Sequence, residues 1–294
     1  MSVLTFRGGT HPYDGKALSR DAAIEEIKPG EELVFPLSQH IGAPAVPIVE
    51  IGERVLAGQK IAAKSGFISA NIHSSVSGTV IKIEPRTIAT GGKVNSIVIR
   101  NDNLYEQAPP INDKNPDDMT DDEIRTVIEE AGIVGMGGAG FPTNVKLTPK
   151  NPEVIDTIIV NGAECEPYLT SDYRRMLEYT DELVKGLKIV LRLFPGARGV
   201  FGVEDNKPEA IKALKKATSG ENNIEVAVLK TKYPQGGERC MIKAVTGREI
   251  NSKMLPADAG CIVHNIDTIA SIYQAVYEGC LLYTSPSPRD PKTS

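Results

Sequence analysis

The first third of the chain alternates short apolar runs with Gly and Pro. Between residues 31 and 100 five such runs recur at short intervals: ELVFP (32–36), PIV (47–49), KIA (60–62), GTVIKI (78–83) and NSIVI (95–99). Runs of this length, rich in β-branched residues and bounded by turn formers, are typical of strands. The pattern therefore predicts a small β-sandwich or barrel.

The pattern changes after residue 118, where strand and helix patterns alternate. Thr120 and Glu123 form a capping box that opens a helix running to about Ala131. The spacing of apolar positions then predicts strands at 154–160, 199–204 and 224–229 and helices at 172–194, 207–218, 237–245 and 265–277. Such alternation is typical of a parallel α/β sheet, whose ligands bind at the carboxyl ends of the strands.

Three segments lack this periodicity. Residues 1–31 are polar and Gly-rich and are interpreted as an extended arm, and residues 101–118 are polar and Pro-rich, which suits a linker. Residues 280–294 are dense in Ser and Pro, and we expect either a disordered tail or a non-native one, since they look like translated cloning or adapter sequence. The predicted domains are therefore 32–100 and 119–279.

Composition narrows the function classes. Lys and Arg total 33 against 38 Asp and Glu, a net charge of −5, which argues against general binding of nucleic acid or anionic membranes. The four Cys, at 165, 240, 261 and 280, form no CxxC pair, so the sequence predicts no zinc or iron–sulfur cluster and no disulfide scaffold. No apolar run reaches 18 residues, and no secretory signal is visible. A reducing, cytoplasmic setting fits these features.

The strongest chemical signal is the Gly-rich segment GMGGAGFPTNVK at 135–146. Its clustered glycines cost conformational entropy, and their backbone N–H groups can approach a phosphate or a flat ring that a Cβ would exclude. Lys146 can supply a counter-charge, and Phe141 can stack on a ring. A tight structural turn is the alternative, and the spacing departs from GxGxxG.

Three further motifs follow predicted strands or open predicted helices. NGAECEPY (161–168) follows the strand at 154–160, YPQGGER (233–239) follows the strand at 224–229, and VHNIDT (263–268) opens the last helix. Carboxylates at such positions can bind ribose hydroxyls or flavin N–H groups, and a Gly pair at a helix start favours anions. A solvated loop and an ordinary Asn N-cap are the structural alternatives for the first and third motifs.

Taken in this order, GMGGAGFPTNVK, VNGAECEPY, YPQGGER and VHNIDT resemble the flavin- and NADH-binding subunit of respiratory complex I and, more closely, the C subunit of Rnf-type ion-translocating electron transport complexes. RGGTHPYDGK, FPLSQHIGAPAVPIV, VLAGQKIA and ISANIHSSVSGTV are similar to the amino-terminal part of the latter. The resemblance covers about residues 1–279. It implies an α/β fold with a β-rich amino-terminal domain: a Rossmann-like parallel sheet of the complex I flavin-subunit type, preceded by a carrier-like, barrel-sandwich hybrid domain.

The resemblance also implies which residues bind FMN and NAD(H). They are Gly135, Gly137, Gly138, Gly140, Phe141, Lys146, Asn161, Glu164, Glu166, Tyr233, Gly236, Gly237, Glu238, Asn265 and Thr268. The first four glycines would line a cleft that binds the flavin and the dinucleotide. Phe141 would stack on nicotinamide or adenine, and Lys146 would lie near the FMN phosphate or ribityl chain. Asn161, Glu164 and Glu166 would contact flavin and the ribose of NADH. Tyr233, Gly236, Gly237 and Glu238 would complete the floor of the cleft. Asn265 and Thr268 would hold the FMN phosphate. The resemblance implies no certain catalytic residue and no metal ligand here.

Two positions depart from the complex I pattern. Met136 stands where that family has Arg, and Gly237 stands where it has the first of two Glu, so NADH contacts are less strongly implied than flavin contacts. The family carries two 4Fe–4S clusters on a Cys-rich module, which we expect in a missing carboxyl-terminal part. The carrier-like domain has Lys64 beside its hairpin tip but no Met-Lys-Met, so we expect no biotinyl or lipoyl group.

The function implied by the resemblance is that of a peripheral subunit on the cytoplasmic face of the inner membrane. Its partners would be the other subunits of the membrane electron transport complex and, indirectly, ferredoxin, with no nucleic acid. Electrons would pass between NAD(H) and FMN and onward to iron–sulfur clusters, coupled to ion translocation. Two alternatives stay open: a non-enzymatic docking subunit whose Gly-rich loops only pack against partners, and a soluble NADH-dependent flavoprotein.

Overall fold

The structure, a computed structural model, describes residues 3–89 and 91–281. Its strands are β1 (Glu32–Pro36), β2 (Val46–Pro47), β3 (Arg54–Val55), β4 (Lys60–Ala63), β5 (Ile72–His73), β6 (Gly78–Thr87), β7 (Lys93–Asn101), β8 (Thr157–Gly162), β9 (Arg198–Glu204), β10 (Ile224–Leu229) and β11 (Cys261–Asn265). Its α-helices are α1 (Asp121–Glu130), α2 (Thr143–Lys146), α3 (Ser171–Glu178), α4 (Thr180–Arg192), α5 (Pro208–Ala217), α6 (Glu238–Thr246) and α7 (Ile266–Glu278). A β-rich first part followed by alternating strands and helices confirms the predicted fold class.

The chain divides into two compact units. The barrel unit comprises Glu26–Leu147 and the described residues from Gln274 onward, and the α/β unit comprises the described residues up to Glu25 together with Thr148–Tyr273. Helix α1 and the Gly-rich segment therefore pack within the barrel unit, although the sequence groups them with the α/β domain. The domain boundaries drawn from the sequence stay a prediction.

Polar contacts hold α1 against the barrel. The Asn71 side-chain amide donates to the carbonyl oxygens of Glu129 and Glu130, each at 3.5 Å. The ammonium of Lys60 pairs with the Glu130 carboxylate, and that of Lys64 pairs with Glu129. Lys64, beside the expected hairpin tip, is thus directed to α1 and paired there; the absence of a biotinyl or lipoyl group stays a prediction.

The barrel unit is built from antiparallel strands. One sheet has the order β1-β7-β6-β3, and the other has the order β2-β4-β5. Apolar side chains from both sheets share one core, which includes Phe35, Val55, Ile61, Val80, Ile97 and Ile99. Each such side chain contributes about 1.5–3 kcal/mol by leaving water. The alternation of short apolar runs and turn formers therefore predicted this unit correctly.

The α/β unit contains a four-stranded parallel sheet with the order β10-β9-β8-β11. The predicted strands at 199–204 and 224–229 and the predicted helix at 207–218 are confirmed to within a residue or two. The predicted strand at 154–160 begins later, at Thr157, because Pro152–Val154 forms a 3-10 turn. The predicted helix at 172–194 is two helices, α3 and α4, which meet at Tyr179.

Strand β11 has no counterpart among the predicted elements. Its apolar part is Cys261, Ile262 and Val263, which is too short for a periodicity to stand out, and Val263 belongs to the motif that opens the predicted last helix. Gly260, at φ 71°, ends the preceding turn and lets the chain enter the sheet. Because β11 pairs with β8, the missed strand determines which loops meet at the carboxyl edge of the sheet.

The helix predicted to begin at Thr120 is confirmed as α1. Thr120 Oγ1 accepts a hydrogen bond from Glu123 N at 3.2 Å, and Glu123 Oε2 accepts one from Thr120 N at 2.8 Å, which is the reciprocal capping box. Ile124 and Ile128, one turn apart, are buried.

Within residues 3–89 and 91–281, no helix has both the length and the apolar content that a bilayer crossing requires. The tail predicted at 280–294 lies outside the described residues except for Cys280 and Leu281. The Cys280 backbone N–H donates to Gln274 O at 3.0 Å, and Leu281 is at the margin of burial.

Candidate functional site

The α/β sheet reverses its strand order between β8 and β11. The chain runs outward from β8 through β9 to β10 and then returns to place β11 on the other side of β8. Asn161 at the end of β8 and Asn265 at the end of β11 are direct partners in the parallel register. In open α/β sheets, ligands bind outside the carboxyl ends of the strands at such a reversal. Two residues predicted as cofactor-binding therefore flank the position where the topology favours a ligand.

Asn161 joins the loop after β8 to the loop after β10. Its Nδ2 donates to the carbonyl oxygen of Gly236 at 2.8 Å, and its Oδ1 accepts from Ala163 N at 3.1 Å. Gly236 lies so close that a Cβ there would come within 2.4 Å of Ala163 O. A side chain at Gly236 would therefore push the two loops apart.

Asn265 caps the last helix and reaches a second one. Its Oδ1 accepts from Asp267 N at 2.8 Å at the start of α7, which confirms the N-cap interpretation. Its Nδ2 donates to Asp172 Oδ2 at 2.9 Å in the first turn of α3. Thr268, one turn into α7, is fully buried. The polar groups of Asn265 therefore fix two helix starts beside the strand reversal.

Glu164 is buried and bound to the start of α3. Its Oε1 accepts from Asp172 N at 2.9 Å, and Ser171 Oγ lies 3.4 Å from the same oxygen. Its Oε2 lies 3.7 Å from the ammonium nitrogen of Lys16. Glu166, two residues on, is half-buried, and no hydrogen bond or ion pair joins its carboxylate to another described residue. Of the two predicted glutamates, Glu166 is therefore the one whose carboxylate is open to an added ligand.

Cys165 lies between these glutamates, and its surroundings disfavour the reactive thiolate. Its Sγ accepts a hydrogen bond from Gly236 N at 3.3 Å. Burial, and then the nearby charge of Glu166, raise the pKa of the thiol to about 12. Because the thiolate is the reactive form, this cysteine stays protonated at physiological pH.

The loop between β10 and α6 contains a buried amide that is not among the residues predicted from the sequence. Gln235 is fully buried, and neither its Oε1 nor its Nε2 has a hydrogen-bond partner among the described residues. Tyr233, predicted as a site residue, is half-buried and exchanges two backbone hydrogen bonds of 2.8 Å with Thr10. Gly237 is the N-cap of α6, and Glu238 is its first residue. An unpaired buried amide is unfavourable, so this loop suits a polar ligand group.

A buried ion pair follows β9, and its two residues are not among those predicted from the sequence. Glu204, the last residue of the strand, is fully buried, and its Oε2 lies 3.0 Å from the ammonium nitrogen of Lys207. Its Oε1 accepts a 3.4 Å hydrogen bond from Lys232 N. The available signal was the charged sequence EDNK directly after a buried strand.

The Gly-rich segment, in the barrel unit, is a closed loop. Gly135 N donates to Phe141 O at 2.9 Å, and Thr143 N donates to Ile133 O at 2.9 Å, so two backbone bonds close its base. Gly137 at its tip is exposed, and a Cβ on Gly138 would meet no heavy atom within 4 Å. A side chain added at Gly138 would therefore lie in open space.

The remaining predicted residues of this segment lie at the base of the loop and just beyond it. Gly140 is buried and has φ 68°, a conformation that costs a non-glycine residue about 1–2 kcal/mol. Phe141 and Lys146 are half-buried, and Lys146 ends α2. Thr143 is fully buried, and its Oγ1 has no hydrogen-bond partner among the described residues. Six of the predicted residues thus lie in the barrel unit and nine in the α/β unit.

Two family comparisons match successive parts of the chain. Residues 4–104 match the RnfC barrel sandwich hybrid domain. Residues 128–274 match the Nuo51 FMN-binding domain. The second match includes all of the predicted cofactor-binding residues, from Gly135 to Thr268. The barrel-sandwich and flavin-domain expectations drawn from the sequence are confirmed.

Relatives similar over nearly the whole chain are the C subunits of ion-translocating complexes. The chain is 44% identical over 280 residues to the C subunit of the Na(+)-translocating ferredoxin:NAD(+) oxidoreductase complex of Acetobacterium woodii, covering 95% of this chain and 63% of the relative. It is 45% identical over 276 residues to the C subunit of the proton-translocating ferredoxin:NAD(+) oxidoreductase complex of Clostridium ljungdahlii, covering 94% and 60%. For the C subunit of the ion-translocating oxidoreductase complex of Pseudomonas aeruginosa, the identity is 41% over 286 residues, covering 95% and 36%. The chain spans less than two thirds of the length of these relatives.

Proposed function

Because the chain belongs to the family of the Nuo51 FMN-binding domain, we propose that it binds FMN and NAD(H) as part of the C subunit of an Rnf-type electron transport complex. The observation that carries this proposal is the pairing of Asn161 with Asn265 at the reversal of the sheet. Parallel sheets bind nucleotides at this point, and the two paired asparagines belong to the motifs VNGAECEPY and VHNIDT.

The chemistry of the available groups fits a flavin nucleotide. The unpaired amide of Gln235 and the hydroxyl of Thr143 are buried polar groups of the kind that hydrogen-bond a ligand. The backbone at the exposed Gly137 and at Gly138, where a Cβ would meet open space, has room for a flat ring or a phosphate. The carboxylate of Glu166 suits ribose hydroxyls.

The proposed roles of the remaining residues differ between direct contact and support. Lys146 would supply the positive charge for a phosphate, and Phe141 would supply a ring face for stacking. Asn161, Asn265 and Glu164 bond to other parts of this chain, so they would act by holding the surrounding loops in place. Bound FMN would supply the conversion between two-electron exchange with NADH and one-electron transfer onward. The chain's own part is to bind both nucleotides, orient them and exclude water from between them.

Contacts to NAD(H) rest on fewer residues than contacts to FMN. Met136 replaces an arginine and Gly237 replaces a glutamate of the complex I pattern, which leaves Glu166 and Glu238 as the proposed acidic groups for the nucleotide. We expect the affinity for FMN to exceed that for NADH.

In the whole protein, electrons would continue to 4Fe–4S clusters, and this electron flow would be coupled to ion translocation. The two most similar of the relatives named above are subunits of ferredoxin:NAD(+) oxidoreductase complexes, so ferredoxin would be an indirect partner and the other subunits direct ones. The proposed location is peripheral, on the cytoplasmic face of the inner membrane.

The test is anaerobic reduction of the FMN-loaded full-length protein by NADH. The proposal predicts stoichiometric bleaching of the flavin absorbance and reoxidation by an added one-electron acceptor. An FMN-loaded protein that NADH does not reduce would contradict the oxidoreductase role, and failure to bind FMN would favour a docking subunit. Retention of activity without any association with membrane partners would favour a soluble flavoprotein.

A further inference from the structure

The amino-terminal arm holds the loop between β8 and α3. Here we call residues 13–19 the strap and residues 163–170 the β8–α3 loop. Tyr168 N donates to Asp14 O at 2.6 Å, and the hydroxyls of Ser19 and Thr170 lie 2.9 Å apart. The strap thus contacts the loop through its backbone near the start and through a side chain at its end.

Lys16 is the centre of this contact. It is 7% exposed, which is unusual for a lysine, and its ammonium donates to the carbonyl oxygens of Glu166, at 3.0 Å, and of Leu169. The same nitrogen lies 3.7 Å from Glu164 Oε2. One ammonium therefore contacts three groups of an eight-residue loop. Two of these groups belong to Glu164 and Glu166, which are proposed for the cofactor site.

A glycine allows the strap to lie this close. Gly15, at φ 60°, is next to the ring of Tyr168, and a Cβ there would come within 2.4 Å of that ring. The rings of Tyr13 and Tyr168 meet edge to face with centroids 6.4 Å apart. Gly15 therefore lets the backbone pass close to Tyr168, so that the side chain of Lys16 can contact the loop.

Electrostatics explain why a lysine is needed at this depth. Glu164 is a buried carboxylate whose Oε2 has no hydrogen-bond donor among the described residues, and an unpaired buried charge is strongly unfavourable. The neighbouring charges of Glu204 and Lys207 form their own pair. Lys16 therefore supplies a positive charge 3.7 Å from Oε2, and burial lowers the pKa of its ammonium.

The effect of Lys16 extends beyond the loop. Glu164, paired with Lys16, accepts from the backbone of Asp172, and the side chain of Asp172 accepts from Asn265 beside the strand reversal. Fixing Glu164 thus fixes the start of α3 and, through it, the side chain of Asn265.

We propose that Lys16 is a positioning residue for the nucleotide site: the strap preforms the β8–α3 loop, so that the Glu166 carboxylate and the end of β8 are ordered before a cofactor binds. This inference rests on the proposed function for the identity of the ligand, whereas the ordering of the loop can be measured without it. A preformed loop has less conformational entropy to lose on binding, so affinity rises.

The test compares Lys16→Gln, Lys16→Arg and Lys212→Gln in the full-length protein. Lys212 is an exposed lysine of α5, so Lys212→Gln removes the same charge from the same unit without touching the strap. The readouts are FMN affinity of the folded variants and hydrogen exchange of the amides of residues 164–172 without cofactor. We expect Lys16→Gln to weaken FMN binding roughly ten- to hundredfold and to speed exchange at Asp172. Lys16→Arg, which keeps the positive charge, should lose less FMN affinity than Lys16→Gln. Lys212→Gln should bind FMN with the affinity of the parent.

A folded Lys16→Gln protein with parental FMN affinity and parental exchange would overturn the inference, and so would equal losses in Lys16→Gln and Lys16→Arg. If Lys16→Gln does not fold, Gly15→Ala displaces the strap from Tyr168 more gently and should show the same two changes; its failure to do so would overturn the inference as well. If the parent itself does not bind FMN, the proposed function has failed, and hydrogen exchange alone then decides whether Lys16 orders the loop.

Discussion

The side-chain amide of Asn161 donates a 2.8 Å hydrogen bond to the carbonyl oxygen of Gly236, a residue 75 positions later in the sequence. This bond joins the loop after β8 to the loop after β10, and the Gly236 N–H returns a bond to Cys165. Two motifs that lie far apart in sequence are therefore joined by hydrogen bonds at the carboxyl edge of the sheet.

Replacing Asn161 with Ala should weaken the contact between these two loops and lower the stability of the protein. Asn161→Ala removes a donor and an acceptor and leaves the Gly236 carbonyl oxygen without this partner, so we expect a loss of about 1–3 kcal/mol in the free energy of unfolding. FMN affinity should fall as well, because the two loops lose the side chain that hydrogen-bonds to both of them. Urea unfolding and FMN titration measure both effects. Asn222→Ala, at an exposed asparagine of the same unit, is the control, and equal behaviour of the two variants would refute the role given to Asn161.

Two glycines of the Gly-rich loop should respond differently to Val. Because a Cβ on Gly138 meets only open space, Gly138→Val should leave the free energy of unfolding within about 0.5 kcal/mol of the parent and yet abolish FMN or NADH binding. Gly140→Val should abolish binding and also destabilise the protein by about 1–2 kcal/mol, because φ is 68° there.

The control is Gly92→Val, which adds the same side chain in open space at the turn between β6 and β7. Circular dichroism checks folding, and a pair of titrations measures the two nucleotides. A folded Gly138→Val protein that binds both like the parent would exclude this loop from the site.

Glu166→Gln should weaken NADH binding more than FMN binding. Its carboxylate is unpaired among the described residues and is proposed to face ribose hydroxyls, for which a charged acceptor is stronger than an amide. We expect a roughly tenfold or greater loss in NADH affinity, equivalent to about 1.4 kcal/mol or more. Parallel titrations of Glu166→Gln and of Glu209→Gln, an exposed control on α5, separate a local effect from a change in net charge. Equal losses for FMN and NADH would argue against this role.

His73 should make the protein less stable in mild acid. Burial, and then the charge of Lys60, lower the pKa of its imidazole from 6.5 to about 4. The unfolded chain therefore takes up a proton near pH 6.5 that the folded chain takes up only near pH 4, so stability is complete above pH 6.5 and falls between these values. At pH 5 the loss is about 2 kcal/mol.

The measurement is the difference in unfolding free energy between pH 7 and pH 5 for the parent, His73→Gln and His11→Gln. The His73 variant should lose that part of the pH dependence, and the variant of the exposed His11 should keep it. The same pH dependence in all three proteins would show that His73 does not carry the effect.

The sequence predicted regular elements well and tertiary partners poorly. The capping box of Thr120 and the strand at 224–229 depend on neighbouring residues, so a local pattern reveals them. Strand β11 is stabilised by pairing with β8, which no local pattern records. The same reason explains the missed Lys16: a lysine in a polar arm looks exposed, and its burial depends on a loop 150 residues away.

The candidate site shows the same division. The Gly-rich loop and the motif at 161–168 were visible because unusual composition or a strand-end position marks them. The unpaired amide of Gln235 and the buried pair of Glu204 with Lys207 were not, since burial rather than residue type sets them apart. The charged residues Glu204 and Lys207 are recognisable in the sequence as candidate site residues, because they come at the end of a strand that the sequence does predict.

The most direct test of the central claim is hydrogen exchange of the full-length protein with and without saturating FMN, after titration has established the stoichiometry. The account predicts one FMN per chain, with slowed exchange concentrated at residues 135–143, 161–166 and 233–238. Absence of saturable binding, or one-to-one binding that protects other segments and leaves these three unchanged, would contradict it.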